Sequence, residues 1–141
     1  MDIWITKGLK GNPGAEKIRK EVFEQEQGFH NEFDEIDEIA YHVVFYEDGI
    51  PVATGRTFPK GKGNDIWLIG RIAVRKPYRG LGLGRRVMQE IETKLRSIGA
   101  KQAELSAQVQ ARGFYESLGY QAVGEEYLDQ HCPHIAMKKV L

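Results

Sequence analysis

Residues 66–99 set the tightest limit on what this chain can fold into. IWLIGRIAV (66–74) is an almost continuous apolar run, long enough for a strand and too apolar to lie at an edge. Leu83, Val87, Ile91, Leu95 and Ile98 then step by four, four, four and three, the apolar stripe of an amphipathic helix closed by Gly99. Between them lies RKPYRGLGLGRR (75–86), in which Gly80, Gly82 and Gly84 alternate with leucines and no acid appears. A central strand, a flexible basic turn and a helix packed back on the strand are therefore expected.

The flanking segments extend this unit. DIWITKG alternates Ile3 and Ile5 with Trp4 and predicts a short strand. Asn12 as N-cap and Pro13 at the first helical position predict a helix start, with Ile18, Val22 and Phe23 at helical spacing. GFHNEFDEIDEI has no clean period and reads as a loop with a helical turn. AYHVVFYEDGIPVATGRTFP is two strands around an Asp48-Gly49 hairpin turn. QAELSAQV predicts a strand, ARGFYESLGY a short helix closed by Gly119, and IAMKKVL a last strand. The order is β, α, a run of β, then α, β, α, β: a mixed sheet flanked by helices, in one domain over residues 1–141.

Composition excludes more than it selects. Lys plus Arg and Asp plus Glu are 20 each, so net charge points to neither nucleic acid nor membrane. Ten acids nevertheless fall between Glu21 and Gly55, with no Lys or Arg among them. Such an acidic segment beside a basic turn suits two differently charged ligands. The single cysteine, Cys132, allows no internal disulfide and fits a reducing compartment. The first residues lack a signal-like apolar core and no run approaches a membrane span, so a cytoplasmic location is expected. His131, Cys132 and His134 lie too close together for ordinary zinc spacing, and no metal is expected.

A glycine turn that opens a helix offers unpaired amides and partial positive charge to an anion, with Arg79, Arg85 and Arg86 alongside. The anion expected is a polyphosphate. A P-loop needs Lys-Ser/Thr after its last glycine, where this chain has Arg85 and Arg86. A dinucleotide fingerprint needs Gly or Ala at Arg85 or at Val87, so it fails too. A turn without any ligand is the remaining plain alternative.

VRKPYRGLGLG after IGRIAV resembles the acyl-CoA pyrophosphate loop of the GNAT-family N-acetyltransferases, with Arg79, Gly82 and Gly84 in its fixed positions. QVQARGFYESLGY resembles the same family's second signature through Ala111, Phe114, Tyr115, Gly119 and Tyr120. VFEQEQGF, EFDEIDEIAYH and GEEYLDQHCPHIAM further resemble its ElaA-like subgroup, so the likeness covers nearly the whole chain.

This resemblance implies the acyl-CoA N-acyltransferase fold, a mixed, mostly antiparallel sheet flanked by helices. It implies acetyl transfer from acetyl-CoA, used as a co-substrate, to a small-molecule or peptide amine by direct attack in a ternary complex. The pyrophosphate would lie on Gly80, Leu81, Gly82, Leu83, Gly84 and Arg85, with Arg79 as charge partner. The pantetheine arm would run along Ile72, Ala73 and Val74, and Tyr115 would protonate the leaving thiolate. Gln108, counted with the cofactor-binding residues, stands where many relatives have an asparagine that helps hold the pantetheine or acceptor, and Gly70 and Arg71 stand where many carry a carboxylate base. Glu125, Glu126 and His134, flanking the last hairpin, are the candidate bases.

Glu26, Asp34 and Asp37 are candidates to contact a cationic acceptor. The rival use of the acidic segment is internal, as partners for Arg56 and Arg71 if these are buried. His42 lies in a strand, facing either the site or the sheet interior. Two other classes of function stay open: an acyl-CoA-binding module without catalysis, and a nucleic-acid binder using residues 75–86. The large acidic segment speaks against the second, and an exposed strand edge is compatible with a homodimer.

Overall fold

The computed structural model describes residues 1–141. Seven strands form one sheet: β1 (Asp2–Lys7), β2 (Tyr41–Glu47), β3 (Ile50–Pro59), β4 (Ile66–Val74), β5 (Gln102–Gln108), β6 (Gln121–Asp129) and β7 (Cys132–Val140). Their order is β1-β2-β3-β4-β5-β7-β6. Every neighbour is antiparallel except β4 and β5, so the sheet is mixed and mostly antiparallel as expected. The apolar run 66–74 is its central, fourth strand.

Helix α2 (Leu83–Ser97) crosses one face and buries Val87, Met88, Ile91 and Leu95 against β2, β3 and β4. Helix α1 (Pro13–Arg19) and the helical turns that continue it cover the other face with Ala15, Ile18, Val22 and Phe23, packed on Val44 and Ala73. Central strands thus have apolar cover on both sides, which is why 66–74 carries no polar alternation. Helix α3 (Arg112–Ser117) is short and stops at Gly119, whose φ of +96° suits glycine. Tyr120 then ties α3 to α2, its hydroxyl donating to Glu92 Oε2 at 2.9 Å.

The hairpin turn falls at Asp48 and Gly49, with φ of +50° and +78°, the sign required at both central positions of a type I′ turn. Three features differ from the sequence reading. Asn12 stands at the start of α1 without capping it: its side chain donates to Thr6 Oγ1 at 3.1 Å and accepts from Tyr46 at 2.8 Å. The helix does not end with α1 but widens into a π-helical stretch, Lys20–Glu26. The last hairpin also has a full first strand, β6, which the strand pattern did not reveal. That strand is an exposed edge, interrupted by a bulge between Val123 and Tyr127 at Gly124.

Candidate functional site

Strand β4 pairs with β5 only through Ile66–Ile69 against Gln102–Leu105. Beyond that point β5 keeps β7 and β4 keeps β3, so the two central strands part like a V. The β5-facing backbone edge of Gly70–Val74 has no strand partner. Arg71 sits at the bend with φ of +54°, where the β3–β4 register slips opposite Gly55. Such a bulge bends a strand, and a non-glycine residue in this backbone region is rare. The parting opens a cavity of about 570 Å³, bordered by Ile72 of β4, Ser106 and Gln108 of β5, Tyr115 of α3, His134 of β7 and the loop around Glu32.

The glycine turn lies at the open end of β4. Gly80 and Gly82 have φ of +80° and +77°, and a Cβ on either would meet open space. Their glycine identity therefore serves backbone conformation and close approach, not internal packing. The amides of Gly80, Leu81, Gly82, Leu83, Gly84 and Arg85 make no hydrogen bond within the protein; the first to do so is Arg86, donating to Gly82. They border a second pocket of about 260 Å³, lined also by Val74, Tyr78, Arg79 and Phe114. A run of unpaired amides at the start of a 15-residue helix is an anion cradle. Arg79 folds over the end of β4, donating to the Val74 carbonyl at 2.8 Å and to Glu26 at 3.0 Å. Arg85 reaches Ser117 at 3.2 Å.

Tyr115 and His134 face one cavity from opposite elements. The Tyr115 ring packs edge-on against Phe114 and Tyr120, at 5.0 and 6.1 Å between centroids. Burial pushes its phenol up to about 12, and its hydroxyl has no partner in the protein, so it is a retained proton donor. His134 is 6% exposed, stacked on Tyr127 and edge-on to Phe29. Its Nδ1 lies 2.8 Å from the Cys132 carbonyl. A carbonyl only accepts, so Nδ1 carries the hydrogen and Nε2 of the neutral ring is the acceptor. Gln108 donates to Gln27 at 2.7 Å and accepts from Gln110 at 2.6 Å, linking β5 to the end of the π-helical stretch.

The carboxylates fall elsewhere. Glu125 and Glu126 are exposed on the bulge of β6 and do not line the cavity. Glu26 pairs with Arg79. Asp34 receives Arg56 at 2.7 and 3.2 Å, and Asp37 receives Arg19 at 2.7 Å and Arg56 at 2.8 Å. Neither aspartate lines the cavity, and His42 donates to the Asp37 carbonyl, 1% exposed, inside the same cluster. Burial lowers the His42 pKa, so the ring is neutral and structural. Arg56 and Arg71 thus find carboxylate partners within the protein, the alternative the sequence had left open. Two acidic residues do line the cavity, Asp129 and Glu32, and sequence reasoning missed both; for Glu32 the one available signal was that Arg19, in an apolar helix face, needed a partner.

A family model for the acetyltransferase (GNAT) domain matches residues 10–141. The chain belongs to the GNAT acetyltransferase family. Among curated relatives of this GNAT protein, YjcF of Bacillus subtilis, an uncharacterized N-acetyltransferase, is 37% identical over 99% of both chains. An acyl-CoA N-acyltransferase from Pseudomonas aeruginosa superposes with a TM-score of 0.87 at 27% identity, covering 98% of each chain. Escherichia coli ElaA superposes with a TM-score of 0.88 over 98% of each chain, and at 23% identity it shares the fold. The GNAT protein therefore has the acyl-CoA N-acyltransferase fold and is an acyltransferase. None of its helices is long and apolar enough to cross a membrane.

Proposed function

We propose that this GNAT protein transfers an acetyl group from acetyl-CoA to the amine of a small molecule or peptide, within a single catalytic domain over residues 1–141. One observation carries the reading. The parting of β4 from β5 joins a cradle of unpaired amides to a cavity holding a proton donor, Tyr115, and a proton acceptor, His134 Nε2. The two pockets follow one another along the same elements, Val74 and Phe114 bordering the amide cradle and Ile72 and Tyr115 the larger cavity.

The free amides of residues 80–85 fit a pyrophosphate. The edge of Ile72, Ala73 and Val74 has no strand partner, Arg79 holding the Val74 carbonyl, and offers strand-like hydrogen bonds to an extended amide-bearing arm. Tyr115 stays protonated at neutral pH and donates to the departing sulfur as the thioester opens. His134, held by the Cys132 carbonyl in the tautomer that leaves Nε2 open, takes the proton the amine must lose. Gln108, locked between Gln27 and Gln110, holds the mouth of the cleft together.

Calorimetric titration with acetyl-CoA, paired with a thiol-release assay, tests this. Leu81 is 67% exposed, so Leu81→Glu leaves the core intact while placing a carboxylate over the amides. Native protein should bind and the variant should not. Failure of the folded native protein to bind overturns the reading. Binding with no amine-dependent thiol release would replace it with that of an acyl-CoA-binding module.

A further inference from the structure

Glu32 is 5% exposed and anchored from both ends. Its Oε2 is shared by Arg19 Nε and Arg71 Nε, each at 2.8 Å. Its main-chain carbonyl accepts from Arg19 Nη2 at 3.0 Å and from Arg71 Nη2 at 3.1 Å. The other carboxylate oxygen, Oε1, has no hydrogen-bond partner in the protein. It is not sealed away either: Arg56 Nε is the only side-chain polar atom both fully enclosed and unpartnered. Glu32 lines the large cavity, and Oε1, unpaired, keeps some contact with solvent.

The other charged groups on the wall do not compete for it. Arg56 is engaged by Asp34 and Asp37, and Arg71 by Glu32 Oε2, while Asp129 brings no donor. Burial raises the Glu32 pKa, against the pull of Arg71 and Arg19. A carboxylate oxygen so poorly hydrated gains most from a charged N–H donor, and the charge of Oε1 selects a cation over a neutral amine or alcohol.

We infer that Glu32 Oε1 receives the ammonium group of the acceptor, so that the acceptor is an alkylamine that arrives protonated. This rests on the amine-acetylating reading above and assigns its substrate class. Glu32 is then the residue that discriminates alkylamines from arylamines, which are neutral at neutral pH. The arginines Arg19 and Arg71 fix the carboxylate so that one oxygen alone is open to substrate.

Two measurements on native protein, Glu32→Gln and Glu32→Asp test it. Amide chemical shifts are followed during titration with n-butylammonium, with n-butanol as the neutral control. Thiol release from acetyl-CoA is measured with n-butylamine and with aniline. Native protein should show shifts around Glu32 with the ammonium and none with the alcohol. Glu32→Gln should abolish them and lower kcat/KM for butylamine by about 10- to 100-fold, and by clearly less for aniline. Glu32→Asp keeps the charge and shortens its reach, so it should give an intermediate loss even if Glu32→Gln fails to fold. Absence of ammonium-specific shifts in the native protein, or equal losses for both amines, overturns the inference. Ammonium shifts without any thiol release would support Glu32 as the ammonium site while overturning the catalytic reading, so the two failures are distinct.

Discussion

Replacing Asp37 by asparagine separates a structural use of the acidic segment from an acceptor-binding one. Asp37 is 3% exposed. Its Oδ1 accepts from Arg19 and Arg56 at 2.7 and 2.8 Å, and its Oδ2 from Arg19 at 3.2 Å and the Asp34 amide at 3.1 Å. Asparagine keeps the shape, removes the charge and turns one acceptor into a donor facing guanidinium donors. Breaking a buried ion pair from one side costs about 3–5 kcal/mol, because the remaining charge stays buried. That is a large share of the roughly 5–15 kcal/mol that holds an ordinary domain together. Acid titration gives an independent magnitude. Burial alone would raise the Asp37 pKa, but Arg19, the Asp34 amide and Arg56 outweigh it and lower the carboxyl from 3.8 to about 2. A folded value below the unfolded one stabilises above about pH 4, and that stability is lost as pH falls through about 2. The gap is worth about 2–3 kcal/mol. Asp34, lowered chiefly by its hydrogen bond to Arg56, adds in the same sense, and Glu32, raised by burial, subtracts. Urea unfolding followed by circular dichroism, at neutral pH and in steps down to about pH 3, reads both effects. Asp37→Asn should lose stability at neutral pH and show a shallower acid slope. Native stability together with a raised acceptor KM would refute this account and return Asp37 to the acceptor site.

Tyr115→Phe should lower kcat by about 10²- to 10⁴-fold while leaving the calorimetric affinity for acetyl-CoA unchanged. In the native enzyme kcat should not fall for want of this proton until pH approaches 12, well beyond the ordinary tyrosine value of 10.0, which a kcat–pH profile reads directly. Leu95→Ala empties a fully buried position under α2 and should cost about 2–5 kcal/mol in urea unfolding. Gly55→Ala would place a methyl 2.5 Å from Ile72 Cδ1 and 2.9 Å from Ile91 Cδ1 and Val87 Cγ1. It should cost about 1–3 kcal/mol of stability by overpacking. Because Ile72 borders the cavity, it should also weaken acetyl-CoA binding measured by calorimetry.

Local signals carried most of the architecture. Alternation, four-residue steps, Asp48-Gly49 and Gly99 each act within a few residues, and the elements they predict are present. Strand β6 was illegible for an equally local reason. An exposed edge strand buries no face, so nothing in QAVGEEYLD imposes alternation, and Gly124 breaks it further. The π-helical widening at Lys20–Glu26 leaves no mark in apolar spacing, because its apolar residues still fall on the side facing the sheet.

The acceptor side of the site was illegible for a different reason. Its charges are set by pairings across long stretches of chain: Arg19 with Glu32 and Asp37, Arg56 with Asp34, Arg71 with Glu32. An acidic segment in sequence shows how many carboxylates are available, and only the tertiary pairings show which oxygen remains open. Three arginines and three carboxylates meet behind the cavity, so the cluster is close to neutral and its bulk presents little field to a substrate. Specificity in such a wall cannot come from the excess of acids that the sequence displays. On the inference drawn above it comes from geometry, since two arginines occupy one oxygen of Glu32, a residue of the cavity wall, and leave its neighbour unpaired. The strained turn at Arg71 belongs to the same logic: the bulge that parts β4 from β5 also delivers the guanidinium that fixes Glu32. One backbone irregularity thereby parts the two central strands and fixes a carboxylate on the wall of the cavity between them.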